Sequence, residues 1–285
     1  MVKNQIKTVL LLGLLTGLIL LIGNLVGGQN GLLIALGIAA VMNFVSYWWS
    51  DKIVLWMYRA KEADKTKEKQ LYEIVQEIAT SAKLPLPRIY LIETEQANAF
   101  ATGRNPQHAV VAATRGLLAL LNKNELKGVL AHEMAHVKNR DILVASIAAT
   151  LAGVISYLAM IARWGAIFGG MGRDNERGMG VVEFIFLAIL APIMAMIIQF
   201  AVSRSREYLA DETGARFVKD SHSLASALEK IEKSATAHPF LRMGKTEATA
   251  HLFIHNPFKG RSMLELFSTH PSTAERIKRL KSLTF

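Results

Sequence analysis

The chain has 285 residues, a formal net charge of +10, 51% hydrophobic residues and no cysteine. The missing cysteines exclude disulfides, thiolate metal ligands and a cysteine nucleophile, so any metal chemistry must use histidine and carboxylate. Mean hydropathy is +0.26, and four apolar runs are long enough to cross a bilayer; this assigns the basic surplus to loops beside anionic headgroups and argues against a nucleic-acid partner.

The first two runs, Thr8 to Val26 and Leu32 to Trp49, predict a transmembrane hairpin within residues 1–50. A signal peptide is the competing reading, since Lys3 and Lys7 precede the first run. That run is longer than a usual signal core, lacks a convincing small-x-small cleavage site and leads straight into a second apolar run, so it reads as retained. The turn, Gly23 to Gly31, has no Lys or Arg, whereas Lys52, Arg59, Lys61, Lys65, Lys67 and Lys69 follow Ser50. By the positive-inside rule the N-terminus and the basic segment are both cytoplasmic. The charge run Lys61 to Lys69 reads as a solvated helix face.

Residues 51–141 form the first soluble segment. Arg88 to Ile92 and His108 to Ala113 read as short strands, with Asn98 to Gly103 between them as either a strand edge open to an extended peptide or an ordinary hairpin turn. Asn122 followed three residues later by Glu125 predicts a capped helix start, and Leu126, Val129, Leu130, Met134 and Val137 then recur at helical spacing. On that helix His132-Glu133-Met134-Ala135-His136 puts two imidazoles one turn apart on one face with a carboxylate between them, which is half of a catalytic zinc site. Two buried histidines that merely satisfy hydrogen bonds would not need the inserted glutamate.

Residues 142–202 predict the second hairpin, Ile142 to Ile161 and Val181 to Val202, closed by the Gly-rich loop Gly169 to Gly180. Four spans return the C-terminus to the cytoplasm. A catalytic zinc needs a third protein ligand, and the His-Glu-x-x-His-x-x-Gly-x-x-His pattern is excluded because Asn139 and Ile142 occupy the required positions. The remaining solution is a Glu on a second helix with an acidic residue four positions on, and Glu207 with Asp211 meets it in residues 203–285. A helix rises about 1.5 Å per residue, so if both helices leave the bilayer continuously, an antiparallel pair brings His132, His136 and Glu207 together within roughly 10 to 15 Å of the cytoplasmic boundary. The competing reading of Glu207 is an exposed carboxylate paired with Arg204 or Arg206. Ala237 to Met263, irregular in composition, could cover the cleft as a flap, and Ser272 to Leu280 reads as the last helix.

The His132 to His136 motif, the Ser203 to Asp211 string, Asn98-Ala99-Phe100-Ala101-Thr102-Gly103 and Ser268-Thr269-His270-Pro271 together resemble the HtpX-type membrane zinc metallopeptidases, relatives of the CAAX prenyl endopeptidases. The resemblance covers the whole chain. It implies one Zn²⁺ per chain held by His132, His136 and Glu207, with Glu133 as general base assisting attack by zinc-bound water; Asp211, four positions after Glu207, is placed to bond a ligand imidazole and fix its orientation. It favours Asn98 as a substrate contact; His270 reads either as an oxyanion partner or as a surface histidine beside the start of the last helix. One departure is Ser272, where the family often has a second proline.

The expected fold is therefore mainly α with a small β-sheet: four transmembrane helices in two hairpins plus a zincin-like cytoplasmic metallopeptidase domain assembled from the two soluble segments. The resemblance implies a multi-pass enzyme of the bacterial inner membrane that cleaves membrane or misfolded proteins in quality control. A CAAX-like processing peptidase shares every catalytic residue, and a catalytically silent zinc-binding scaffold shares the metal site.

Overall fold

The computed structural model describes residues 2–151, 204–237 and 271–284. The second half of the run Ile142 to Ile161, the run Val181 to Val202, the loop Gly169 to Gly180, His270 and all of the expected flap except Ala237 lie outside the described residues.

Helix α1, Val2–Met57, is broken once, at Gly28 (φ 55°, ψ −138°), a positive-φ backbone that a side chain would resist. The chain reverses there. Gly23 backs onto Gly31 and Ala35 so closely that a Cβ at position 23 would overlap both. Farther along, Asn43 Nδ2 donates to Thr16 Oγ1 across the two arms (2.8 Å). Leu33, Ile34 and Val41 point outward, each more than half exposed. The second arm, Gly28–Met57, is the one helix among the described residues long and apolar enough to cross a membrane, while Ile6–Leu21 and Ile142–Leu151 are shorter apolar helices.

The second arm runs past residue 50, and its last turns belong to the soluble half. Val54 packs with Ile92, Phe100, Ala112 and Ala149, and Asp51 pairs with Arg88 at 3.1 Å. Burial of each large apolar side chain in such a cluster contributes about 1.5–3 kcal/mol, enough to fasten the hairpin to the sheet.

Four strands form a mixed sheet in the order β1-β2-β4-β3: β1 is Lys61–Glu62, β2 Arg88–Ile92, β3 Ala99–Thr102 and β4 Val110–Thr114. Strands β2 and β4 are parallel, and the outer pairs β1·β2 and β3·β4 are antiparallel. This arrangement leaves β3 at an edge. Two expectations shift. The strand expected from His108 begins at Val110, because Pro106–His108 form a 3₁₀ turn in which Asn105 Oδ1 accepts from the His108 N–H (3.0 Å). The run Lys61 to Lys69 is no helix face: it starts as β1 and then turns, with Asp64 Oδ1 accepting from the Thr66 and Lys67 N–H groups, before α2 (Lys69–Ala82) begins.

After a short α3 (Arg115–Leu120), helix α4 (Lys123–Asn139) starts as the sequence predicts. Asn122 Oδ1 accepts from the Asn124 and Glu125 N–H groups, and the Glu125 carboxylate accepts from the Asn122 N–H. Its apolar positions Leu126, Val129, Leu130, Met134 and Val137 enter one core with the α2 residues Leu71, Ile74, Val75 and Ile78 and with Ile89 and Val111 of the sheet. Helix α5 (Ile142–Leu151) follows and packs Val144, Ile147 and Leu151 against Leu11 and Leu15 of α1. Helices α6 (Arg204–Val218), α7 (His222–Ala237) and α8 (Thr273–Lys281) complete the described chain.

Candidate metal centre

The site is built where α4 crosses α6. Glu207, Asp211 and Gly214 stand at i, i+4 and i+7 of α6, so they share one face. Gly214 lets that face come close: a Cβ there would sit 2.8 Å from the His132 nitrogen and from the Ala131 carbonyl carbon. Any side chain at 214 would push the two helices apart. With glycine, the face carrying Glu207 lies directly against the face carrying the two histidines.

The donor atoms converge. His132 Nε2 and His136 Nε2 lie 3.3 Å apart, Glu207 Oε2 is 3.6 Å from the first and Oε1 is 3.5 Å from the second. With one donor atom taken from each residue, the three lie within 4.8 Å of one another, close enough for His132, His136 and Glu207 to converge on a single Zn²⁺. Two imidazoles and one carboxylate are a donor set that zinc takes, and three protein ligands are the number that catalytic zinc sites use. His132 and Glu207 are buried, and His136 is 17% exposed in its side chain, which gives the cluster one accessible flank.

Glu133 is buried beside the donors, and its Oε2 accepts from the backbone N–H of Ala101 on β3 (3.0 Å). Burial, opposed by the charges of His132 and His136, raises its pKa above the ordinary glutamate value. A carboxylate tuned upward is a better proton acceptor near neutrality than a free one. Asp211 accepts from His132 Nδ1 at 2.9 Å. Burial raises the Asp211 pKa, but Arg276 and His132 outweigh it and hold the carboxyl below its usual range. Burial and Arg276 act to lower the metal-free His132 pKa, yet the hydrogen bonds to Asp211 and Glu207 prevail and raise it to about 9.

Arg276 is a site residue that the sequence does not single out. It comes from α8, is 1% exposed, and donates through Nε and Nη2 to both oxygens of Asp211 (2.9 and 2.6 Å). Its Nη1 is 3.8 Å from Glu207 Oε2. A buried guanidinium among these carboxylates offsets charge that would otherwise be uncompensated. The signal was present: Thr273, Arg276 and Leu280 line the buried face of α8, and an arginine at an inward position calls for a buried anion.

Asn98 directly precedes β3 and is buried; its N–H donates to Thr114 Oγ1 (2.9 Å) and its carbonyl accepts from the Thr114 N–H (3.0 Å). The structure thus places Asn98 at the start of the edge strand whose Ala101 holds Glu133. His270 lies outside the described residues.

The sequence profile of Peptidase family M48 matches residues 65–284. The chain is 56% identical over 283 residues to the Protease HtpX homolog of Syntrophobacter fumaroxidans, covering 98% of this chain and 99% of the relative. It is 52% identical over 278 residues to the Protease HtpX homolog of Thermococcus kodakarensis, covering 98% and 95%. The crystal structure of S. mikatae Ste24p aligns with a TM-score of 0.49 and 17% identity, over 98% of this chain and 66% of that one. The family profile and the relatives matched almost end to end agree with the donor triangle: the chain belongs to peptidase family M48, as an HtpX-type metallopeptidase with a zincin-type zinc site.

Proposed function

We propose that the chain is an integral-membrane endopeptidase that cleaves membrane or misfolded proteins in quality control, with its active site on the cytoplasmic side of the plasma membrane. The observation that carries the reading is the convergence of His132, His136 and Glu207, with the buried Glu133 beside them. In this reading the sequence of residues 1–50 and 142–202 supplies four spans in two hairpins, and residues 51–141 and 203–285 together make one catalytic unit. The packing of α5 against α1 and of the end of α1 against the sheet supports a catalytic unit seated directly on the membrane segments.

His132, His136 and Glu207 would hold one Zn²⁺ per chain, which when bound supplies a Lewis acid that acidifies water and polarises a carbonyl. Glu133 takes a proton from the attacking water and passes it to the leaving amine, while the Ala101 N–H fixes its Oε2. Asp211, clamped by Arg276, keeps the His132 ring in register through Nδ1. The substrate path in this reading runs beside β3, entered through Asn98 at the edge of the sheet nearest Glu133, and His270 is the oxyanion partner that the family resemblance favours.

The test is degradation by purified enzyme in detergent, with and without Zn²⁺, offering an unfolded membrane protein and a prenylated C-terminal peptide as alternative substrates. Zinc-dependent cleavage of the protein, absent in Glu133→Gln, is the expected result. Cleavage restricted to the prenylated peptide would replace the quality-control reading with a processing one, and zinc binding without turnover would leave a scaffold.

A further inference from the structure

Each histidine has its own carboxylate behind it, and only one of these was expected. We infer that Asp141, backed by Arg206, positions His136 for metal binding, so that a second carboxylate–guanidinium pair matches Asp211–Arg276 behind His132. The inference rests on reading the His–His–Glu cluster as the zinc site.

The local backbone explains how Asp141 arrives there. Helix α4 ends with Arg140 in the left-handed conformation (φ 59°, ψ 36°), and the next N–H, that of Asp141, donates back to the His136 carbonyl (3.0 Å). This closing turn is an ordinary helix stop, but it folds residue 141 back over the last turn of the helix. The Asp141 carboxylate thereby reaches His136 Nδ1, with Oδ2 at 3.3 Å.

The ring's other nitrogen decides what this contact does. His136 Nε2 faces Glu207 and His132 Nε2, so it is the nitrogen that must be unprotonated to bind metal, and Nδ1 then carries the hydrogen. A carboxylate at Nδ1 selects that tautomer, stops the ring from turning and makes Nε2 a stronger donor. Without it, the tautomer with the proton on Nε2 competes with the metal.

The second oxygen of Asp141 meets α6. Arg206 Nη1 lies 3.6 Å from Oδ1 and makes no hydrogen bond among the described residues. Lys7, from the first arm of α1, feels both Asp141 and Arg206. Arg206 directly precedes the ligand Glu207, so the Asp141–Arg206 pair spans the two helices that carry the three donors. It sets their relative position as well as the ring.

Asp141 also precedes Ile142 and so occupies the N-cap place of α5, a purely structural duty that Ser or Asn would perform equally well. That equivalence provides the test. Full-length protein in detergent is stripped of metal, and Zn²⁺ binding is measured by competition with a chromophoric chelator. Asp141→Ser keeps a capping side chain too short to reach His136, and it should weaken Zn²⁺ binding about 10- to 100-fold in metal-free protein that is still folded at the temperature of the titration. Asp141→Asn keeps an acceptor without the charge and should lose less. Arg206→Met should weaken binding in the wild-type background and add nothing in the Asp141→Ser background.

Wild-type affinity in Asp141→Ser overturns the inference, as does an Arg206→Met loss undiminished when Asp141 is already serine. If Asp141→Ser proves unstable, Asp141→Asn decides: affinity equal to wild type would leave the residue as a cap and nothing more. The underlying site assignment is checked separately by His136→Ala. Retention of zinc there would remove the site reading itself, whatever the Asp141 variants show.

Discussion

The crossing of α4 with α6 and the hairpin of α1 solve opposite packing problems. At the crossing, Glu133, Glu207, Asp211, His132 and Arg276 are all less than a tenth exposed, on elements that also bury Leu130, Ala131, Met134 and Ala215. In the hairpin Leu33, Ile34 and Val41 face outward, and the Asn43–Thr16 bond between its arms is neutral. Buried charge persists only where opposite charges or a metal compensate it, and outward Leu and Ile persist where the surroundings are themselves apolar. Each region would be unstable in the other's environment.

The deepest break in the charged region is at its base. Glu133→Gln keeps the shape and the Ala101 N–H contact but cannot accept a proton, so the turnover number should fall about 10²- to 10⁴-fold with zinc retained. Activity assays paired with metal analysis check this. Full activity in the zinc-loaded variant would sink the acid–base role.

Next in size are changes that leave the ligands in place and disturb their support. Asp211→Asn should cost about 10- to 100-fold in zinc affinity, because the bond to His132 Nδ1 weakens and Arg276 is left without its main counter-ion. Proton competition should be of similar size. His132 rises from its ordinary value near 6.5 to about 9 in the metal-free site, so below that pH zinc must displace a proton, and affinity should drop about tenfold per pH unit from 9 down towards 7. Stability of the metal-free protein runs the other way: the contribution of protonated His132 is fully present below about pH 6.5 and is lost as pH rises through about 9. The zinc-induced rise in melting temperature should therefore grow across that window. A rise independent of pH would show that the imidazole is already neutral.

How much of this contrast could be read from the chain follows its range in sequence. The motif helix, its Asn122–Glu125 cap, the strand Arg88–Ile92 and the Glu207–Asp211 pair depend on spacings of a few residues, and all stand where the sequence predicts. Arg276 reaches Asp211 across 65 residues, and nothing local distinguishes it from its basic neighbours Lys278, Arg279 and Lys281 except the face it occupies. Asp141 was hidden differently. Its role depends on Arg140 taking a positive φ, which favours glycine or asparagine and is not signalled by an arginine. Gly214 looks like a weak point in a helix until the closeness of α4 is known. Gly214→Ala should cost about 1–3 kcal/mol through overpacking and should weaken zinc binding together with stability, since the same close approach serves both. Thermal unfolding with and without Zn²⁺ measures the two losses.

The smallest expected effect lies in the apolar region. Asn43 Nδ2 donates to Thr16 Oγ1, and Thr16 Oγ1 in turn donates to the Leu12 carbonyl (2.9 Å), so the two arms are joined by a short polar chain. Among the described residues Asn43 Oδ1 makes no hydrogen bond, which limits what the contact can contribute. Hydrogen bonds between helices in lipid are worth about 0.5–2 kcal/mol, because the separated helices find other partners. Asn43→Ala should therefore destabilise the hairpin by about that amount in an unfolding assay in mixed micelles, with zinc affinity and turnover at wild-type values, since the residue lies in the hairpin and the catalytic donors come from α4 and α6. The contrast between the regions makes the measurement informative. If Asn43→Ala lowered turnover at unchanged zinc affinity, the arms of α1 would be coupled to the cleft through the α5 packing against Leu11 and Leu15, and the hairpin would be a working part of the enzyme as well as its anchor.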